Sequence, residues 1–148
     1  MDYRSIPGTE LSISSLAIGG WLTLGDGVTD AESSRILHAA IDGGVTFLDL
    51  ADVYANGGAE RVVGRFLQEA DRGRLIVSSK VFWPMGDGPN DRGLGRRHIH
   101  ASIDGTLSRL GLGHLDLYFC HREDPSVPLA ETVQAMGDLV QLGKIRAW

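Results

Sequence analysis

Five short apolar runs alternate with four longer segments in which apolar residues return every three or four positions. The runs are Leu16-Ala17-Ile18, Thr46 to Leu50, Leu75 to Val81, Leu115 to His121 and Ile145 to Trp148. A short continuous run between turn signals reads as a buried strand. The first run ends at Gly19-Gly20-Trp21. In the first helical segment, Thr29-Asp30-Ala31-Glu32 has the form of a capping box. Ile36, Leu37, Ala40 and Ile41 follow at helical spacing, and Gly43-Gly44 is the stop. Ala59 to Ala70 sets Val62, Val63, Phe66 and Leu67 on one face. Arg96 to Leu110 does the same with Ile99, Ile103, Leu107 and Leu110, with Gly105 inside it at a cost of about 1 kcal/mol relative to alanine. Pro128 suits the first turn of a fourth helix, with Val133, Met136 and Val140 as its apolar face and Gly143 as its end. Ahead of all this, Tyr3 to Ser14 alternates weakly around Pro7-Gly8, which predicts a small hairpin, a lid or plug. Phe82 to Gly95 holds two prolines and four glycines and reads as a long loop, a type that is often functional.

Strands alternating with helices predict a parallel sheet with right-handed crossovers. The order is four strand–helix units and the start of a fifth strand. An eight-unit barrel takes about 250 residues, and the chain has 148. The expected fold class is α/β, the first half of a (β/α)8 TIM barrel with an N-terminal hairpin, and residues 1–148 are expected to be a truncated N-terminal half of such a domain. The alternative is an open five-stranded doubly wound sheet. Its nucleotide-binding version carries a Gly-rich turn after the first strand; here Trp21 stands where a phosphate-cradling glycine is wanted. A half-barrel has open strand edges, and edges template association, so self-association of the chain alone is expected.

Composition narrows the function classes. An apolar fraction of 43% supports a packed core. Fourteen basic against nineteen acidic residues give a net charge of −5, without the basic footprint of a nucleic-acid binder. The single cysteine, Cys120, has no internal disulfide partner and reads as a small buried packer. No Cys/His spacing suggests zinc. No stretch reads as a signal peptide or a membrane span, so a cytoplasmic setting is expected.

The chemistry gathers at strand ends. Phe47-Leu48 ends in Asp49, with Tyr54 five residues on; Leu75 to Ser79 ends in Lys80; Leu115 to Cys120 ends in His121. In parallel α/β barrels the reacting groups sit at the C-terminal ends of the strands. Parallel neighbours would bring Asp49, Lys80 and His121 to one rim, with Tyr54 above them. A phenol is a weak acid at neutral pH, and an ammonium beside it favours the phenolate. An aspartate would fix that ammonium, and a histidine opposite would orient a carbonyl. The set suits a general acid that protonates a carbonyl oxygen as a hydride arrives at carbon. Taken singly, Asp49 also reads as a turn cap, Tyr54 as a packed aromatic and His121 as a core histidine. Lys80 resists such a reading, because lysine is rarely buried unpaired. Trp21 is expected to line the site, and Trp83 either lines it or caps the barrel. His98, His100 and His114 read as surface or helix-face residues.

Phe47-Leu48-Asp49-Leu50-Ala51-Asp52-Val53-Tyr54, Gly58-Ala59-Glu60, Ser79-Lys80 and Asp116 to His121 together resemble the aldo-keto reductases. Lys80-Val81-Phe82-Trp83, Gly93 to Ile99, His121 to Pro125 and Glu131 to Met136 are similar to the branch that includes potassium-channel β subunits and their bacterial relatives. The resemblance implies a (β/α)8 barrel, NADPH (NADP+) as cofactor, and a catalytic tetrad of Asp49, Tyr54, Lys80 and His121. It implies cofactor contacts from Gly20, Trp21, Asp49 and His121, and no metal. Leu50 departs from the family's usual Thr, Gly20 from a side chain that many relatives carry, and Gly105 from an uninterrupted helix. The expected function is NADPH-dependent reduction of aldehydes or ketones, with Tyr54 as acid; the chain alone is expected to be inactive. The alternative is a redox-sensing binding module like the channel β subunits, in which Asn often stands at the position of His121. The expected partner is a small carbonyl substrate, without nucleic acid or membrane; homo-oligomerisation is left open.

Overall fold

The computed structural model describes residues 1–148. The predicted hairpin is present. β1 (Tyr3–Ser5) pairs antiparallel with β2 (Ser12–Ser14), and Gly8 supplies the positive φ of its turn. A five-stranded parallel sheet follows, in the spatial order β3 (Ala17–Gly19), β4 (Phe47–Asp49), β5 (Ile76–Val81), β6 (Leu115–Cys120) and β7 (Ile145–Ala147). Between them run α1 (Asp30–Asp42), α2 (Gly58–Leu67), α3 (Arg96–Leu110) and α4 (Leu129–Gln141). Strands paired in chain order with right-handed crossovers place all four helices on one face of the sheet. The barrel-type order is therefore observed, and the doubly wound alternative, which changes direction at a switch point, is not. No helix is long and apolar enough to cross a membrane.

Strand alternation divides the side chains between the two faces. Register pairs Asp49 with Ser78 and Lys80 with Phe119 on the inner face, away from the helices. Leu48, Val77 and Tyr118 are fully buried on the other face, within a core that also holds Leu37, Val63, Ile99, Ile103 and Met136. Phe119, inward and uncovered, is 38% exposed.

Three local expectations change. The first apolar run forms β3, but at an edge of the sheet; Leu16 is 63% exposed and the strand is not buried. The capping box closes on one side only. Thr29 Oγ1 accepts from Glu32 N at 3.2 Å, while the Glu32 carboxylate turns to Arg35. In α4, Pro128 is the N-cap rather than the first helical residue, and the buried face is Thr132, Ala135, Met136 and Leu139. Val133 and Val140 are exposed, because the helix seats itself by α3 and β7 rather than by its own most apolar stripe.

Candidate active site

The end of β4 and the turn after it build the site. Asp49 closes the strand, Tyr54 N donates to Ala51 O at 3.1 Å, and the chain enters a short 3-10 turn over Tyr54–Gly57. Ala55 and Asn56 both have φ of 50°, a left-handed conformation that costs an L-residue roughly 1–2 kcal/mol. Strain of this kind concentrates at functional sites. Here it follows directly on the phenol.

Lys80 is the hub. Its Nζ donates to Asp49 Oδ2 at 2.8 Å and to Leu50 O at 2.7 Å, and lies 3.4 Å from the Tyr54 hydroxyl. Asp49 Oδ1 accepts from Ser78 Oγ at 2.8 Å. The predicted rim is therefore assembled: the three strand-end groups and the phenol come together. His121 meets the Tyr54 ring edge-on, with centroids 5.8 Å apart. Its Nδ1 is buried and has no partner. Burial, and then the Lys80 ammonium, hold its imidazole below the usual range. A neutral ring with an unpaired nitrogen is a group awaiting a polar partner.

A cavity of about 670 Å3 opens beside these groups, walled by Trp21, Leu22, Val53, Tyr54, Trp83 and His121 among others. Trp21 stacks near Tyr54 with centroids 6.4 Å apart, so its expected place is observed. Trp83 also belongs to the wall, edge-on to His121 at 6.4 Å, with the Arg122 guanidinium 5.3 Å from its ring centroid. Of the four residues expected at the cofactor, Trp21 and His121 line this cavity; Gly20 and Asp49 do not.

Gly20 instead explains a pair of departures. A Cβ at position 20 would stand 2.7 Å from Leu50 Cδ2. Leu50, fully buried, fills the space that a side chain at position 20 would need, so the two changes are one steric exchange. At Gly105 a Cβ would meet only the Arg109 guanidinium, at 2.9 Å, the end of a flexible side chain that can give way, so the structure does not explain that departure.

The sequence reading missed the polar layer behind the site. Asp52, Glu60, Ser79, Ser102 and Tyr118 are all buried on the helix side. Glu60 accepts from Arg109 Nε and from Ser79 Oγ, each at 2.6 Å. His98, expected to be a surface or helix-face residue, lies on the buried face of α3 at 5% exposure, and burial lowers its pKa. Cys120 is half-buried and packs against the core, in agreement with a packing role, and burial pushes its thiol pKa up. The signal for the acids was present but unread: Asp52 and Glu60 fall in phase with apolar residues of their own segments.

The aldo/keto reductase family model matches residues 15–148. Probable voltage-gated potassium channel β subunits of Oryza sativa subsp. japonica and Arabidopsis thaliana are each 39% identical over 150 residues, covering 100% of this chain and 45% of theirs. A putative one of Schizosaccharomyces pombe is 39% identical over 152 residues, at 100% and 44%. A thermostable aldo-keto reductase crystallised with the inhibitor epalrestat superposes with a TM-score of 0.86 at 34% identity, covering 99% of this chain and 52% of that one. The chain spans about half the length of these relatives. It belongs to the aldo/keto reductase family.

Proposed function

We propose that the protein carrying this chain is an NADPH-dependent oxidoreductase that reduces aldehydes or ketones to alcohols, with Tyr54 as the general acid. The single observation that carries this reading is the shared ammonium: Lys80 Nζ within 2.8 Å of Asp49 and 3.4 Å of the Tyr54 hydroxyl, beside an aromatic-walled cavity. The residues present fit the nicotinamide end of the cofactor. The cavity offers flat aromatic walls, and His121 Nδ1 has no protein partner. Trp21 and His121 would touch that ring, with Asp49 and Gly20 behind them. When bound, the reduced nicotinamide supplies the hydride.

The chain's own groups handle the proton. Tyr54 donates its hydroxyl proton to the carbonyl oxygen as charge develops there. The phenolate left behind is held by Lys80, whose own charge Asp49 fixes in place. Ser78 keeps the carboxylate oriented. His121, neutral, hydrogen-bonds the carbonyl oxygen and aligns it with the phenol.

The test is Tyr54→Phe in the full protein. Carbonyl reduction should be lost while NADPH still quenches tryptophan fluorescence with unchanged affinity. Turnover within a few-fold of wild type would overturn the assignment. The channel-subunit relatives favour a second reading, a redox-sensing binding module. It predicts NADPH binding and capture of a channel domain by wild type and Tyr54→Phe alike, without turnover by either.

A further inference from the structure

The cavity beside the rim has a charged side chain that the proton chemistry does not use. Arg122 lines it, together with Trp21, Trp83, Tyr54 and His121. His121 N donates to Val81 O at 2.9 Å and so extends the β6 ladder by one residue. Arg122 follows it, at the start of the turn. Its guanidinium carbon stands 5.3 Å from the Trp83 ring centroid, within cation–π reach. It forms no ion pair with any carboxylate of the chain. Its charge reaches the reacting groups: burial first, then Lys80, and also Arg122 hold the His121 imidazole below its ordinary value, with Asp49 opposing them. The one other wall residue with a full charge is Asp26, exposed between Gly25 and Gly27 on the loop after β3.

Resting on the reductase reading, we propose that Arg122 determines specificity in this cavity: it selects aldehydes and ketones that carry a carboxylate, and holds that group while the carbonyl lies between Tyr54 and His121. A guanidinium held over an indole keeps its N–H edges for an acceptor. A planar carboxylate matches such an edge with two parallel bonds. One cation also balances one carboxylate charge. A phosphate dianion would leave charge uncompensated, with Asp26 on the same wall. The cavity, about 670 Å3, is of the size that takes small molecules, and its indoles suit a flat substrate body. Arg122 would touch the far end of the substrate rather than the reacting carbon. It therefore binds ground state and transition state alike, and its effect falls on KM more than on kcat.

The test compares 3- and 4-carboxybenzaldehyde with their neutral methyl esters, in the full protein with NADPH. For at least one isomer, kcat/KM for the acid should exceed that for the ester by about 10- to 100-fold, mostly through KM. Arg122→Met, which removes the charge, should erase that preference, and Arg122→Lys should keep part of it. Turnover without preference for either acid, a preference that survives in Arg122→Met, or a lysine variant no better than the methionine one would overturn the proposal. Binding is read separately, by calorimetric titration of the NADP+-loaded protein, which has no hydride to give. There the acids should bind more tightly than the esters in wild type and lose that advantage in Arg122→Met. Acids that fail to bind, or bind no tighter than the esters, would also overturn the proposal. Acid-selective binding through Arg122 in a protein that reduces none of the four aldehydes would leave the binding role standing and defeat the reductase reading. Reduction of all four at similar efficiency would do the reverse.

Discussion

Two ion pairs sit back to back on the same sheet, and consecutive serines support them. On the inner face, Lys80 meets Asp49 at 2.8 Å with Ser78 on the free carboxylate oxygen. On the helix face, Arg109 meets Glu60 at 2.6 Å with Ser79 on the free oxygen. The plan is shared; the surroundings are not. The Asp49 side chain is 34% exposed and that of Glu60 is 0%. Lys80 has a third polar neighbour, the Tyr54 hydroxyl, and a cavity beyond it. Arg109, as exposed as Lys80 (17% against 16%), bonds Glu60 through Nε and Thr106 through Nη2 within the helix layer. A buried carboxylate with both oxygens bonded locks packing, and removing one partner strands a buried charge. A half-open pair costs less to keep and remains available to a substrate.

Several substitutions would break or sharpen this contrast. The largest effect on activity is expected at the open pair's neighbour. Tyr54→Phe should lower carbonyl reduction by about 100- to 10,000-fold and leave the free energy of unfolding within about 0.5 kcal/mol. The largest effect on stability is expected at the helix-face pair. Glu60→Ala leaves Arg109 and Ser79 without their acceptor, and denaturant unfolding should show a loss of about 3–5 kcal/mol. Equal stability of the Glu60→Ala protein would mean that the helix-face pair carries no packing role.

The serines make the sharper comparison, because they are adjacent and chemically identical. Ser79→Ala should cost about 1–3 kcal/mol, since a buried Glu60 oxygen loses its donor. Ser78→Ala should cost less in unfolding, because water reaches Asp49, and should instead slow turnover. Ala55→Gly should stabilise the protein by about 0.5–1 kcal/mol by relieving its left-handed backbone, measured as a rise in unfolding midpoint; its kcat would report whether that strain serves Tyr54.

In pH dependence the two faces oppose each other. His121 has a folded pKa below its ordinary value, so it contributes stability above about pH 6.5 that is lost as the pH falls. Asp52 has a folded pKa raised to about 6 from 3.8. Its contribution is present below the lower of these values and lost as pH rises through the interval between them. Unfolding curves from pH 4 to 8 should therefore lose their acid-side decline in His121→Gln and their loss on rising pH in Asp52→Asn.

The sequence by itself determined the alternation of elements and the rim. Helical period, glycine stops and apolar runs are properties of neighbours along the chain, and they placed α3 at Arg96–Leu110, the residues observed. A strand that ends in an ionisable residue also delivers that residue to the end of the sheet, whatever packs behind it. For that reason Asp49, Lys80 and His121 could be grouped before any coordinates. The tertiary structure decided what lies opposite each group. Glu60 finds Arg109 across 49 positions of chain, and Asp52 finds Ser102 across 50; no local pattern encodes such a meeting. The same holds for the buried face of α4, set by the neighbours it packs against, and for Gly20, whose missing side chain makes sense only beside Leu50. Periodicity is a one-dimensional signal, whereas the fate of a buried charge depends on which surfaces close over it.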